Sequence, residues 1–249
     1  MANSNIEKYG LIGKNISYSF SRQYFTDKFE HENLPNFSYE NFDLQDINEL
    51  QSVVAETLYL KGLNVTIPYK QAVFPFLDKI DKKALAIGAV NTIKISKKHK
   101  LKGYNTDYYG FKKSIKPYLK PQHKKALILG TGGASKAVAY ALHQLEIDYK
   151  SVSRNPTAEQ FSYEDLDEQI FEEFHIVINC TPLGTFPKIE EFPPLPYSFF
   201  TENHLAFDLI YNPEETSFLR QAKAFNAEAV NGHQMLVFQA EKAWEIWHK

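Results

Sequence analysis

The chain has a single cysteine, Cys180, among 249 residues. An internal disulfide is therefore excluded, and a reducing, cytoplasmic location is the expectation. Long hydrophobic runs are missing too: none approaches the roughly 20 residues needed to cross a bilayer. Neither sign of charge dominates, since 28 basic and 30 acidic residues leave a formal net charge of -2. That is too weak a field to gather nucleic acid or an anionic membrane. The opening residues Met1-Ala2-Asn3-Ser4-Asn5 carry neither the basic cluster nor the apolar core of a signal peptide. No metal is expected, and the default partner is a small molecule.

What is present is enough apolar material, 43% of residues, to fill real cores. Two modest domains fit the pattern better than one large one. Residues 8–12 read as a strand closed by Gly13, and Phe20, Tyr24, Phe25 and Phe29 follow at helical spacing. Residues 36–42 alternate as a strand does, 47–60 carry a helical pattern, and 63–65 form a short strand ended by Pro68. A helical stretch is predicted over 70–87, then a strand pair at 91–95 and 100–104 joined by a basic, solvated tip, Ser96-Lys97-Lys98-His99. Beyond Asp107 a helix precedes strands at 126–129, 149–153, 175–179, 205–208 and 228–230, separated by helical or looped segments. This is the rhythm of a doubly wound parallel sheet. The proline-rich connection at 192–196 is neither a central strand nor a helix interior. Residues 232–247 read as an amphipathic helix with Leu236, Ala240, Trp244 and Trp247 on one face, and Met235 and Gln239 beside it.

The sharpest local signal is Gly130-Thr131-Gly132-Gly133-Ala134-Ser135, between the apolar run Ala126-Leu127-Ile128-Leu129 and a small-residue helix. A strand, a glycine turn and a helix whose free N–H groups face the turn make a ready pyrophosphate site. Gly130 serves the tight turn, and Gly132 lets backbone approach phosphate. The third fingerprint position is Ser135, so the motif by itself also fits an ordinary strand-to-helix turn. At the end of the next strand, where NAD sites carry an acidic residue, the chain reads Val152-Ser153-Arg154-Asn155. No carboxylate is there, and the Arg154 fork suits a 2′-phosphate, which favours NADP. Asp148 is near in sequence but precedes the strand. The plainer alternative for Arg154 is a solvated arginine.

In the first half, Asn64-Val65-Thr66-Ile67-Pro68-Tyr69-Lys70 places Lys70 just past a strand's carboxyl end, where ligands of open α/β sheets bind. A lysine there can act as acid/base at a carbonyl or hydroxyl, or simply start a helix in solvent. Asp107, in the first turn of the helix after Asn105-Thr106, either favours the helix dipole or orients Lys70 and substrate. Ser17 and Ser19, after the first strand, and Asn91, at another strand start, suit a polar ligand or act as caps and turn residues.

Assembled, these segments resemble shikimate dehydrogenases from end to end. The resemblance rests on Ser17-x-Ser19, Asn64-Val65-Thr66-x-Pro68-x-Lys70, Gly88-Ala89-Val90-Asn91-Thr92, Gly103-x-Asn105-Thr106-Asp107-x-x-Gly110 and the glycine turn. It continues through Asn179-x-Thr181-Pro182-Leu183-Gly184, Asp208-Leu209-Ile210-Tyr211-Asn212-Pro213 and Gly232-x-x-Met235-Leu236-x-x-Gln239-Ala240. It implies an α/β substrate domain with a mostly parallel sheet, residues 1–105 with 232–249, completed by the returning C-terminal helix. A Rossmann-like NADP domain, 106–231, is inserted. The implied reaction is NADP-dependent interconversion of shikimate and 3-dehydroshikimate on the way to chorismate and aromatic amino acids. The implied catalytic pair is Lys70 and Asp107, with Ser17, Ser19, Asn64, Thr66, Asn91, Tyr211 and Gln239 also binding substrate.

The cofactor set implied by the resemblance is Gly130, Thr131, Gly132, Gly133, Ala134, Ser153, Arg154 and Asn155, with Thr181, Pro182, Leu183, Gly184, Ile210, Gly232 and Met235 nearer the nicotinamide. There are departures. Ser153-Arg154-Asn155 replaces the usual Asn-Arg-Thr, and Ala158 and Glu159 stand where a second basic residue is common. NADP preference is therefore expected to persist in weaker form. Cys180 replaces a common alanine and is expected to pack rather than react. Quinate or dual quinate/shikimate oxidation is the alternative activity, and a catalytically silent NADP-binding sensor is the alternative class. Retention of both Lys70 and Asp107 speaks against the sensor. A monomer or homodimer is expected.

Overall fold

The computed structural model describes residues 6–17 and 19–249; the opening residues 1–5 and Tyr18 of the Ser17-x-Ser19 segment lie outside that set. The chain divides into two compact units. Unit 1 takes residues up to Thr106 together with Ala240–Lys249, and unit 2 is Asp107–Gln239. The sequence-based division put residues 232–239 with the first domain and Thr106 with the second, whereas the compact units group them the other way round.

Unit 1 is built on a six-stranded sheet, in the order β2-β1-β3-β5-β6-β4. Its strands are β1 (Glu7–Gly13), β2 (Phe37–Asp43), β3 (Leu60–Val65), β4 (Lys79–Ile80), β5 (Thr92–Ile95) and β6 (Leu101–Tyr104). β1 runs parallel to β2 and β3, and β4 parallel to β6. β5 is antiparallel to both β3 and β6, and with β6 it forms a hairpin, whose short connection dictates that direction. The exposed tip between β5 and β6 is held by Ser96, whose Oγ accepts the amides of Lys98 and Lys100, while His99 takes a left-handed φ of 54°.

Helix α1 (Phe20–His31) follows β1, capped by Ser19, whose side chain accepts from Ser21 N–H. The helical pattern over 47–60 becomes a 3-10 turn and α2 (Leu50–Glu56). It stops there because Tyr59 adopts φ 62° and Leu60 already pairs in β3. The stretch predicted as helical over 70–87 is likewise divided: α3 (Tyr69–Ala72), a 3-10 turn containing Pro75, the β4 pair, then α4 (Lys82–Ile87) capped by Asp81. Pro75 cannot donate the amide that a continuous helix needs.

Unit 2 has a five-stranded, all-parallel sheet, in the order β11-β10-β9-β7-β8. These strands are β7 (Lys125–Leu129), β8 (Asp148–Val152), β9 (Ile176–Asn179), β10 (Leu205–Asp208) and β11 (Glu228–Val230). The chain steps from β7 outward to β8, then crosses back to β9 on the other side of β7. The carboxyl ends of β7 and β9 therefore flank a topological switch point, the place where open α/β sheets bind ligands. Around the sheet lie α5 (Asp107–Ile115), α6 (Gly133–Gln144), α7 (Glu168–Glu173) and α8 (Ser217–Ala224). Leu127, Leu129, Val177, Phe171 and Phe218 fill one core of this unit.

Helix α9 (His233–His248) spans the division between the units. Its later turns bury Ala240, Ala243 and Trp247 with Tyr9, Phe25, Phe29 and Tyr39 of unit 1. Aromatic contacts dominate: Phe25 stacks on Tyr39 at 4.6 Å between centroids, and Trp247 lies 4.8 Å from Tyr9. Each such pair adds about 0.5–1.5 kcal/mol beyond buried area. The indole N–H of Trp247 donates to Ile93 O at 3.0 Å, which satisfies its polar atom inside the core.

Candidate active site

In unit 1 the candidate substrate residues gather around the ends of β1, β3 and β5 through neutral hydrogen bonds. Tyr39 on β2 donates its hydroxyl to Asn64 Oδ1 at 2.7 Å. This turns the amide nitrogen of Asn64 toward Asn91 O (3.4 Å) and Thr92 Oγ1 (3.3 Å). Burial of Tyr39 raises its phenol pKa, so the hydroxyl stays a donor at neutral pH. Asn91 is buried, and its Oδ1 accepts from Thr106 N–H at 2.7 Å and from Thr92 Oγ1 at 3.1 Å. Its Nδ2 donates to Thr106 Oγ1 at 3.0 Å. Asn105 Nδ2 donates to Ala89 O at 3.0 Å. This buried lattice of amides and hydroxyls is rigid because its groups satisfy one another.

Lys70 sits half-buried in the one-turn helix α3 after β3. Its carbonyl accepts Val90 N–H at 2.8 Å, which ties its backbone to the Asn91 segment. Next to it the buried Tyr69 donates its hydroxyl to Leu44 O at 2.7 Å. Thr66 N–H bonds to Ile12 O at 2.9 Å, joining the ends of β1 and β3. Ser19 is the α1 cap, whereas Ser17 is exposed in a loop whose Ile16 carbonyl is held by Asn41 Nδ2 at 3.1 Å. Hydroxyls, amides and the Lys70 side chain on one sheet end suit a polyhydroxylated ligand.

In unit 2, Gly130 has φ 97°, a left-handed conformation that requires glycine, and its N–H bonds to Val152 O at 2.9 Å. Gly132 differs: its φ of -76° and ψ of -175° suit any residue, and a Cβ there would meet no protein atom within 4 Å. Nothing in the fold demands glycine at this exposed position. A ligand that must approach the backbone does, and the donors it would meet are the first amides of α6. Thr131 is exposed, and Gly133 and Ala134 open the helix. Ser135, in place of a third glycine, is buried and returns its hydroxyl to Gly132 O at 2.6 Å. The turn is thereby braced from within.

Arg154 and Asn155 are exposed just beyond β8, where Ser153 Oγ accepts Asn155 N–H at 3.2 Å. Asp148 opens β8 at the end away from the glycine turn. Across the switch point, Thr181 lies close to the glycine turn: a Cβ on Gly130 would be 3.2 Å from its Cγ2. Asn179, fully buried, anchors this segment, its Oδ1 accepting Thr181 N–H at 3.0 Å and Thr181 Oγ1 at 2.7 Å. Asn179 Nδ2 donates to Asp208 Oδ1 at 3.1 Å. Asp208 also accepts from Ile210 N–H at 3.0 Å and Thr216 Oγ1 at 2.6 Å. Burial pushes the Asp208 carboxyl up to about 6 against the pull of these donors. Burial and then the Asp208 charge raise the Cys180 thiol, which stays protonated and unreactive.

Asp107 is buried as the first residue of α5. One turn on, Gly110 meets α9 so closely that a Cβ would lie 2.5 Å from Met235 O and 3.2 Å from both Gln239 Cβ and Gln239 N. Asp107, Met235 and Gln239 are thus carried by two helices locked backbone to backbone. Ile210 is buried and Tyr211 half-buried after β10, and Gly232 N–H bonds to Ile210 O at 3.0 Å, joining that loop to the start of α9. Pro182 is exposed and Gly184 buried.

The sequence reading did not single out Tyr39 or Thr216, and it quoted Thr92, Thr106, Asn179 and Asp208 within motifs without giving them a part in the site. The available signal was a polar residue closing an otherwise apolar strand, as Asn179 closes β9 and Asp208 closes β10.

A family model for the shikimate dehydrogenase substrate binding domain matches residues 11–93. A shikimate dehydrogenase (NADP(+)) of Clostridium botulinum strain Hall is 38% identical over 250 residues, covering 96% of this chain and 95% of that protein. A solved shikimate dehydrogenase in complex with NADP+ is similar at TM-score 0.86 and 36% identity, covering 99% of this chain and 91% of the other. Another, from Thermus thermophilus in complex with NADP(H) and shikimate, has TM-score 0.85 and 30% identity, covering 97% and 93%.

Proposed function

Because the chain belongs to the shikimate dehydrogenase family, we propose that it interconverts shikimate and 3-dehydroshikimate with NADP, a step toward chorismate and the aromatic amino acids. The observation that carries the reading is Gly132, a glycine that the fold does not need at the switch point of an all-parallel sheet. NADP, when bound, supplies the hydride acceptor. Gly130, Thr131, Gly132, Gly133 and Ala134 would receive its pyrophosphate, Ser153, Arg154 and Asn155 its adenosine ribose and 2′-phosphate. Thr181, Pro182, Leu183, Gly184, Ile210, Gly232 and Met235 would hold the other half.

On the substrate side, Ser17 and Ser19 bind the carboxylate, and Asn64, Thr66, Asn91, Tyr211 and Gln239 bind the ring hydroxyls. Lys70 Nζ takes the proton of the reacting hydroxyl as its carbon gives up hydride, and returns it in the reverse direction. Asp107 is assigned as the carboxylate that holds the substrate and partners Lys70. The neutral lattice around Asn91 holds Asn64 and Asn91 in place before substrate arrives, so little reorganisation of these two groups accompanies the reaction. Unit 1 takes the role of substrate domain and unit 2 that of cofactor domain.

Among the described residues no helix is long and apolar enough to cross a membrane, and the same reading places the enzyme in the cytoplasm as a monomer or homodimer. The test is nicotinamide reduction with shikimate and quinate side by side, each with NADP and NAD. The reading expects the highest catalytic efficiency with shikimate and NADP. Preference for quinate would replace the substrate, preference for NAD would replace the cofactor, and absence of turnover despite NADP binding would favour a sensor.

A further inference from the structure

We propose that Asp208 is a positioning residue for the nicotinamide half of the cofactor site: its carboxylate sets which way the Asn179 amide faces, and that amide holds the 181–184 segment in its binding shape. The inference rests on the assignment of that segment to the cofactor. An ionised carboxylate only accepts hydrogen bonds, and Asp208 is fully buried at the end of β10 with three donors aimed at it. The atom that Asn179 turns toward it must therefore be Nδ2. Oδ1 is then forced to the other side, where it receives both the backbone N–H and the hydroxyl of Thr181. Thr181 Oγ1 in turn accepts Leu183 N–H at 3.3 Å, so the orientation is passed along the segment.

Asparagine at position 208 would retain the volume but offer an NH₂ group among donors. If that group faces the Ile210 and Asn179 donors, they lose their acceptor; if it faces Thr216 Oγ1, the bonds to Ile210 and Asn179 survive only as weaker neutral ones; and if Asn179 flips, Thr181 loses its acceptor. Each outcome loosens 181–184, while the glycine turn keeps its own backbone bond to Val152 O and meets this segment through packing against Thr181 and Cys180 rather than through the hydrogen bonds of Asp208. Asp208 touches neither proposed ligand, and its effect is separable from the adenosine half.

The experiment compares binding of NADP and of 2′,5′-ADP, which lacks the nicotinamide, to the full chain and its Asp208→Asn variant. The expected result is at least about tenfold weaker NADP binding with 2′,5′-ADP affinity within about twofold, a loss the size of a buried hydrogen bond left unmade. The KM for NADP rises accordingly while the KM for shikimate stays within about twofold. Asn179→Ala should show the same pattern, and Asp208→Asn should cost clearly less in the Asn179→Ala background than alone, because part of its effect passes through Asn179. If Asp208→Asn fails to fold, Asn179→Ala alone decides. Unchanged NADP affinity, equal weakening of both ligands, or an additive double variant overturns the inference. A wild-type protein that binds neither ligand overturns the proposed function and takes this inference with it.

Discussion

Replacing Gly110 by alanine adds a methyl group 2.5 Å from Met235 O, a backbone atom that cannot swing aside. An ordinary contact begins near 3.4 Å, so 3.4 less 2.5 requires α5 and the first turns of α9 to part by about 0.9 Å at this point. Asp107 rides on one helix, and Met235 and Gln239 on the other. A misplacement of about 1 Å in a reacting constellation costs on the order of 10²-fold in rate, so kcat/KM for shikimate should fall by about that factor. Folding should suffer much less. Overpacking costs about 1–3 kcal/mol, and alanine recovers about 1 kcal/mol over glycine in a helix. At about 2–4 °C per kcal/mol for a chain of this size, Tm should drop by only a few degrees. Steady-state kinetics with NADP and shikimate, beside thermal unfolding of the same preparation, separates the two effects. A variant with kcat and KM both within twofold of wild type would refute the claim that this helix contact sets the spacing of Asp107 from Gln239.

Lys70→Ala should abolish measurable turnover yet leave shikimate binding, followed by calorimetry, within about tenfold, as for a group used mainly in the transition state; retained turnover removes Lys70 from the chemistry. Arg154→Ala should raise the KM for NADP by about 10- to 100-fold, the worth of charged hydrogen bonds of about 1.5–3 kcal/mol, and leave that for NAD unchanged. Equal changes with both cofactors would contradict a contact to the 2′-phosphate. His123 and His204 predict a pH dependence of stability. Each accepts a backbone N–H at Nδ1 and faces a carbonyl through Nε2, and burial lowers both pKa values below the ordinary 6.5. The folded state then binds fewer protons than the unfolded one, so their stabilisation is complete above pH 6.5 and is lost as pH falls through the depressed values. The buried Asp208, raised to about 6, contributes the opposite slope as pH falls from about 6 toward the ordinary carboxylate range. The histidine effect is therefore read from Tm between pH 7 and 6, where His204→Gln should flatten the curve; an unchanged slope would count against it.

How far the fold could be read from sequence differs between the units. In unit 2 each predicted strand from 126–129 to 228–230 lies within two residues of an observed one; the buried β7, β9 and β10 are short apolar runs that leave a plain trace, whereas the edge strand β8 is mostly exposed and polar. In unit 1, residues 70–87 resisted the same treatment. Apolar residues there recur at helical spacing, but a proline and a two-residue edge strand divide them, and periodicity does not register a pairing partner distant in sequence. The candidate site shows a similar division. Gly130, Gly132 and Arg154 carry their meaning in local order. The roles of Tyr39 toward Asn64, of Thr106 toward Asn91, and of Asp208 toward Asn179 depend on pairings across 25, 15 and 29 residues that only the folded sheets create. The early turns of α9 are a further case: the amphipathic pattern shows a face, but not that Gly110 lets α5 meet its backbone.

The discontinuity of unit 1 has a consequence for the order in which the protein can be made. Unit 2 is one uninterrupted segment and can close its core as soon as it is synthesised. Unit 1 starts first but finishes second, because Trp244 and Trp247 follow all of unit 2 in the chain. Until they arrive, Tyr9, Phe25, Phe29 and Tyr39 form an open aromatic trough, the kind of exposed surface on which nascent chains stick to one another. The usual N-to-C sequence of domain maturation is thus reversed. Chaperone demand during synthesis should track the time that α9 takes to emerge.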